Sequence, residues 1–191
     1  MAGKETARNG PALGLIEAEC TGPPAYALGV LRVVLEGLFL RRQAYLLMVL
    51  AREGVADAAM VVGVTYLLLA VPGILGSAGL LAAARFVIAG VFGWVVLAGL
   101  TYLVGRHLLH GDGTMPSVMA AAGLAFPPLL AALALRPFLP PFAAIVVPSV
   151  WLVACLWQAA RVSLGLPPAR AAAAAAGGYG GWLILSAVSV I

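Results

Sequence analysis

The sequence predicts an all-α, polytopic integral membrane protein: five transmembrane helices in a bundle, preceded by an amphipathic interfacial helix. Three observations predict it. Hydrophobic residues make up 63 % of the 191-residue chain and charged ones 9 %, against roughly 45–50 % and 25 % in soluble domains. Mean hydropathy is +1.08, and so few charges would leave a soluble surface uncovered, so lipid does the solvating. Uncharged apolar stretches recur at about the 20-residue length that a bilayer core of ~30 Å demands. The basic residues, finally, fall unevenly on the two sides of these stretches.

Taken in order, residues 1–24 show no hydrophobic periodicity and read as a mobile cytoplasmic tail. No secretory signal is visible, because the start is polar and no small-residue cleavage pattern follows a short apolar core. Residues 25–57 are an amphipathic segment. Their apolar runs, 30–40 and 44–51, are too short to span. Arg32 and Glu36 share one helical face with Gln43 two turns on, while Leu31, Val34, Leu35 and Leu38 line the other. This pattern fits a helix in the headgroup plane, with Arg32, Arg41, Arg42 and Arg52 at the membrane surface. The alternative is a sixth span over 24–40 that buries Arg32 and Glu36 as a pair, at a cost of several kcal/mol.

The transmembrane domain, 58–191, then divides into spans at 58–75, 83–105, 118–135, 142–160 and 171–191. Turn-forming residues separate them: Gly76, Ser77 and Gly79; Gly111, Gly113 and Pro116; Pro137, Pro140 and Pro141; Pro167 and Pro168. These connections are too short to hold a soluble domain. Lys4, Arg8, Arg32, Arg41, Arg42, Arg52, Arg106, Arg161 and Arg170 fall on one side, and only Arg85 and Arg136 on the other. Nine against two puts the N-terminus in the cytoplasm and the C-terminus outside.

The chain is poor in reactive groups. Cys20 lies in the polar tail and Cys155 in an apolar run, so a disulfide is not expected and two cysteines are too few for a cysteine zinc site. The two histidines, His107 and His110, with Asp112 nearby, make three metal ligands at most on a loop, and solvated residues ending a span are the simpler reading. Ser149 has no His or Lys at its depth to activate it. Gly177, Gly178, Gly180 and Gly181 surround Tyr179 without the strand, Lys or Ser/Thr of a phosphate loop. No catalytic, cofactor-binding or metal-ligating residue is therefore expected, and no enzymatic activity. The net charge of +4 includes no basic cluster dense enough for nucleic acid.

Polar residues at membrane depth are Thr65, Tyr66, Thr101, Tyr102, Ser149 and Gln158, with no acid or base at the midplane, which argues against ion-coupled transport. Pro72, Pro127, Pro128 and Pro148 interrupt spans. Kinks packed against neighbours are the plain reading, and a binding site at a broken helix is the sharper one. Small residues four apart, Ala89 with Gly93 and Ala173 with Gly177 and Gly181, predict close helix–helix contacts, within the bundle or to a partner.

One further pattern carries a resemblance. A cytosolic amphipathic preamble leads into five close-set spans. The second reads Gly93-Trp94-Val95-Val96-Leu97-Ala98-Gly99-Leu100-Thr101-Tyr102-Leu103-Val104-Gly105, and the fourth closes Leu156-Trp157-Gln158-Ala159-Ala160-Arg161-Val162-Ser163-Leu164-Gly165-Leu166 before Ala171 opens the last. Over residues 29–191 this resembles the bacterial branch of the Yip family, the Ypt/Rab-interacting membrane proteins. The resemblance implies a helical membrane domain without catalytic residues. Eukaryotic members act with small GTPases through a longer cytosolic arm whose Asp-Leu-Tyr-Gly-Pro-like motif is absent here, where the chain reads Thr21-Gly22-Pro23-Pro24, so the GTPase link does not carry over. The expected function is that of a scaffold or accessory subunit packing laterally against another integral membrane protein or complex, or a second copy of itself. The alternative is a small-solute or lipid-handling transporter or channel. The Ala-, Gly-, Pro- and Arg-rich composition suggests a bacterial inner membrane.

Overall fold

The computed structural model describes residues 23–76 and 79–188; the expected tail over 1–24 falls almost entirely outside them, as do Ser77 and the last three residues. The chain divides into two units, 1–32 and 33–191, and the second holds all that follows except the first ten residues of helix α1 (Pro23–Leu38). After α1 come α2 (Arg42–Leu50), α3 (Gly54–Gly76), α4 (Gly79–Leu103) with a π-helical turn at Val104–Leu108, and α5 (Met115–Gly123). A 3-10 turn at Pro127–Leu130 leads to α6 (Ala131–Leu135), then α7 (Pro141–Ser163) and α8 (Pro168–Val188). The described residues contain no strand.

Five of these stretches are long and apolar enough to cross a membrane: Gly54–Gly76, Gly79–Leu108, Met115–Leu135, Phe142–Ser163 and Pro168–Val188. They correspond one to one with the five expected spans. All but the fourth begin three or four residues earlier, because polar or small residues such as Asp57 and Gly79 enter the first turn, where unsatisfied amides tolerate them. The last is described only to Val188.

The spans meet through small residues. A methyl group placed on Gly123 would stand 2.8 Å from Ala58 Cα, and one on Gly178 would stand 2.9 Å from Thr101 Cα. Any side chain there would force α5 from α3, or α8 from α4. The core between them is filled by Val62, Trp94, Leu97, Phe126, Leu152 and Leu156, with alanines at the helix crossings. Bulky residues such as Ile88, Phe92, Phe142, Val150 and Ile184 face outward, as lipid requires.

Two features depart from the sequence reading. The third span is not one helix. Leu124, Ala125 and Phe126 donate to carbonyls three residues back, and Pro127 and Pro128 then bring no N–H to the turn before them, so the α-helix tightens and stops. The break is buried: every residue from 120 to 128 is enclosed.

The amphipathic segment is two helices rather than one, and it ends at Gly54 rather than at residue 57. At 16 residues, α1 is about 24 Å long, too short for a bilayer core. Arg41 N–H reaches Glu36 O and Leu40 N–H reaches Gly37 O, a Schellman cap with Leu40 in the left-handed conformation at φ 57°. A leucine there costs about 1–2 kcal/mol relative to a glycine. The last turn of α1 stands beside the middle of α7, where Trp151 Nε1 donates to Leu38 O at 3.0 Å. From there α2 returns with Ala44, Tyr45 and Met48 buried. It docks on protein with one face, instead of resting on headgroups alone.

Candidate functional site

Loop ends that share one face of the bundle are held together closely. Asp112 N–H donates to Leu164 O at 3.1 Å, and Gly111 N–H to Gly105 O at 2.9 Å. Gly113 lies against the Ser163 carbonyl so tightly that no Cβ would fit. Arg106 donates to Gly111 O at 2.8 Å and stands 3.8 Å from the Asp112 carboxylate, a solvent-exposed pair of little energetic weight. The Ser117 hydroxyl donates to Thr114 O at 2.6 Å and accepts from Thr114 N–H at 3.1 Å, opening α5. Both His107 and His110 are exposed. Among the described residues no three His, Cys, Asp or Glu side chains are grouped to hold a metal. His110, like Leu40, has a left-handed backbone, φ 59°, as the widened π turn ends the second span.

On this same face two cavities open. The larger, about 560 Å³, lies between the α2–α3 turn and α5 and is lined by Arg52, Glu53, Thr114 and Ser117 among others. The smaller, about 170 Å³, is lined by Arg42, Gln158, Arg161, Val162, Gly165 and Leu166. Here the end of α7 is well organised. The Arg161 guanidinium lies over the Trp157 ring, 5.2 Å from its centroid, and donates to Gln158 Oε1 at 3.4 Å. Trp157 Nε1 in turn donates to Pro168 O at 2.8 Å, tying α7 to the start of α8.

The expected surface arginines therefore separate. Arg42 lines the smaller cavity and Arg52 the larger. Arg41 is exposed as the N-cap of α2, and Arg32 is exposed on α1. The small-residue pairs separate too. Methyl groups on Gly177 and Gly181 would stand 3.2 Å from Val104 Cγ1 and 3.3 Å from Leu100 Cδ1, and one on Gly93 would stand 3.3 Å from Trp182 Nε1. These three flank the α4–α8 contact inside the bundle. Ala89 and Ala173 are exposed. The tightest approach falls one residue over, on the face Ala171, Ala174, Ala175 and Gly178.

Spacing alone does not single out Tyr45, or the stacked pair Trp157 and Arg161. Tyr45 is fully buried and its hydroxyl donates to Gly37 O at 3.2 Å. Burial pushes its phenol well above the usual range, with the Cys155 thiol adding to the effect, so it remains a donor. Trp157 and Arg161 are four apart on α7 and Gln158 and Arg161 three apart, spacings that place such side chains in contact at a helix end. Deeper in the bundle, the hydroxyls are engaged by their own helices: Thr65 donates to Val61 O at 2.7 Å, Thr101 to Leu97 O at 2.8 Å and Ser149 to Ile145 O at 2.8 Å. Comparison with family models, curated proteins and solved structures finds no match to this chain.

Proposed function

We propose that this chain is a non-enzymatic, Yip-like integral membrane protein that acts as a scaffold or accessory subunit, packing laterally against a transmembrane helix of a partner protein. The observation that carries the reading is the outer face of α8. Ala172, Ala173 and Ala176 are exposed, while Ala171, Ala174, Ala175 and Gly178 make the bundle contact. Helix association in lipid depends on close backbone approach, since burial from hydrocarbon into protein has little hydrophobic driving force. A helix with small residues on both sides suits a second contact as well as the first. The self-contained hydroxyls at membrane depth support a packing role over a polar pathway. Composition and the nine-to-two charge asymmetry support a bacterial inner membrane with the N-terminus in the cytoplasm.

The experiment is affinity recovery in mild detergent with mass spectrometry, comparing wild type with Ala173→Leu/Ala176→Leu. A stoichiometric membrane partner, retained by wild type and lost by the variant at unchanged thermal stability, is expected. Equal recovery by both removes the proposed surface, and recovery of further copies of this chain alone identifies a homo-oligomer instead.

The break at 124–130 favours a second reading, a small-solute or lipid-handling transporter, because interrupted helices within a bundle expose backbone groups to a ligand. Purified protein in vesicles that released an entrapped solute or scrambled labelled lipid, with no partner recovered, would establish that reading.

A further inference from the structure

We infer that the smaller cavity, at the end of α7, binds the phosphate of an anionic phospholipid headgroup. Its lining contains two cationic side chains, Arg42 and Arg161, and no acidic one. The two come from different elements: Arg42 is the first residue of α2 and Arg161 stands in the last turn of α7. No side chain caps α2, and its first residue lines the cavity, so the positive end of its dipole adds to the field of the arginines.

Gln158 adds a polar side chain to the lining. It is 6 % exposed, and its oxygen is engaged by Arg161 at 3.4 Å. Its amide N–H groups can donate to a phosphate oxygen in the cavity. Arg161 is already held by its stacking on Trp157, so little side-chain freedom is lost when it binds, and a guanidinium matches phosphate oxygens two at a time.

The place of the cavity selects a lipid over a free anion. It lies where an apolar span ends, at Ser163, next to Trp157, a residue type that favours the headgroup level. Lipid phosphates sit at that depth, and the apolar flank of α7, with Val150 and Trp151 exposed, lies farther along the same span for acyl chains. A zwitterionic lipid carries the same phosphate but brings an ammonium toward the arginines, so anionic lipid is preferred.

The test is native mass spectrometry and thermal stability of the full chain in mild detergent, titrated with dihexanoyl phosphatidylglycerol, dihexanoyl phosphatidylcholine or inorganic phosphate. Phosphatidylglycerol is expected to bind and stabilise, phosphatidylcholine and inorganic phosphate to do so at least several-fold more weakly. Arg42 is exposed, so Arg42→Gln leaves packing intact and should weaken phosphatidylglycerol binding about tenfold, as loss of a charge-assisted contact does. Arg161→Gln should do at least as much, and Arg136→Gln, beyond the far end of the third span, should have no effect. Equal binding by wild type and Arg42→Gln overturns the site. Equal effects of the two lipids overturn the headgroup preference, and tighter binding of inorganic phosphate than of phosphatidylglycerol overturns the lipid assignment.

Discussion

Residue by residue, this protein is controlled by positions where a few atoms more or less decide whether helices can meet. Gly178 is one, since even a methyl group there stands 2.9 Å from the Thr101 backbone. Gly178→Ala should destabilise by about 1–3 kcal/mol, as overpacking of a rigid contact does, measured by thermal unfolding in detergent. Gly177→Ala would meet only the movable side chain of Val104 and should cost distinctly less; a reversed order would show that the contact register is wrong. Tyr45 is another such position. Tyr45→Phe keeps the ring but removes one of the two hydrogen bonds that Gly37 O accepts, leaving that from Leu40 N–H, and a loss of about 1 kcal/mol is expected. Trp94 shows the opposite case: its Nε1 is buried with no acceptor among the described residues. Trp94→Phe removes that unsatisfied donor along with some packing volume, so the loss should stay below the ~3–5 kcal/mol typical of emptying an aromatic site.

At the level of elements, the interrupted third span and the α1–α2 pair share one logic. In each, local chemistry stops a helix and tertiary packing then holds the stopped end in place. Pro127 and Pro128 end the α-helical ladder, but residues 120–128 are enclosed on all sides, so the neighbours have grown around the break. Restoring the missing donors with Pro127→Ala/Pro128→Ala should therefore lower thermal stability by roughly 1–3 kcal/mol, because a straightened span no longer fits its surroundings. Higher stability in this variant would show that the break is strain and not a packed feature. The α1–α2 turn depends on Leu40 in a left-handed conformation. A β-branched side chain is poorly accommodated there, so Leu40→Val should destabilise further, by about 1 kcal/mol or more.

For the molecule as a whole, the ends of the first, second, third, fourth and fifth spans at Gly54, Leu108, Met115, Ser163 and Pro168 lie next to Arg52, Arg106, Arg161 and Arg170. Arg136, by contrast, follows the opposite end of the third span. The proposed cytoplasmic placement of that arginine-bearing end rests on the positive-inside bias and is open to a direct test. Alkaline phosphatase fused after Ile191 should be active in a bacterial host, and a cytoplasmic reporter at the same position inactive. The reverse pair of results would invert the topology and place the Arg42–Arg161 cavity on the outer leaflet.

The amino-acid sequence alone determines the class and the five crossings, because lipid solvation imposes length and apolarity on each span independently of every other. Which face of a span meets a neighbour is not determined in that way. Ala173, Gly177 and Gly181 obey the same four-residue spacing as any packing stripe, yet the closest contact uses Gly178, since the rotation of α8 is set by α4 and α7 on its flanks and not by its own residues. The fold of residues 25–57 was similarly hidden. Alternating polar and apolar faces describe a helix on a membrane as well as one docked on protein, and only the presence of Cys155, Leu124 and Trp151 around Tyr45, Gly37 and Leu38 decides between them. The cavity at Arg42 and Arg161 lies furthest from legibility, for its two cations are more than a hundred residues apart in the chain and become neighbours only when α2 docks against the end of α7.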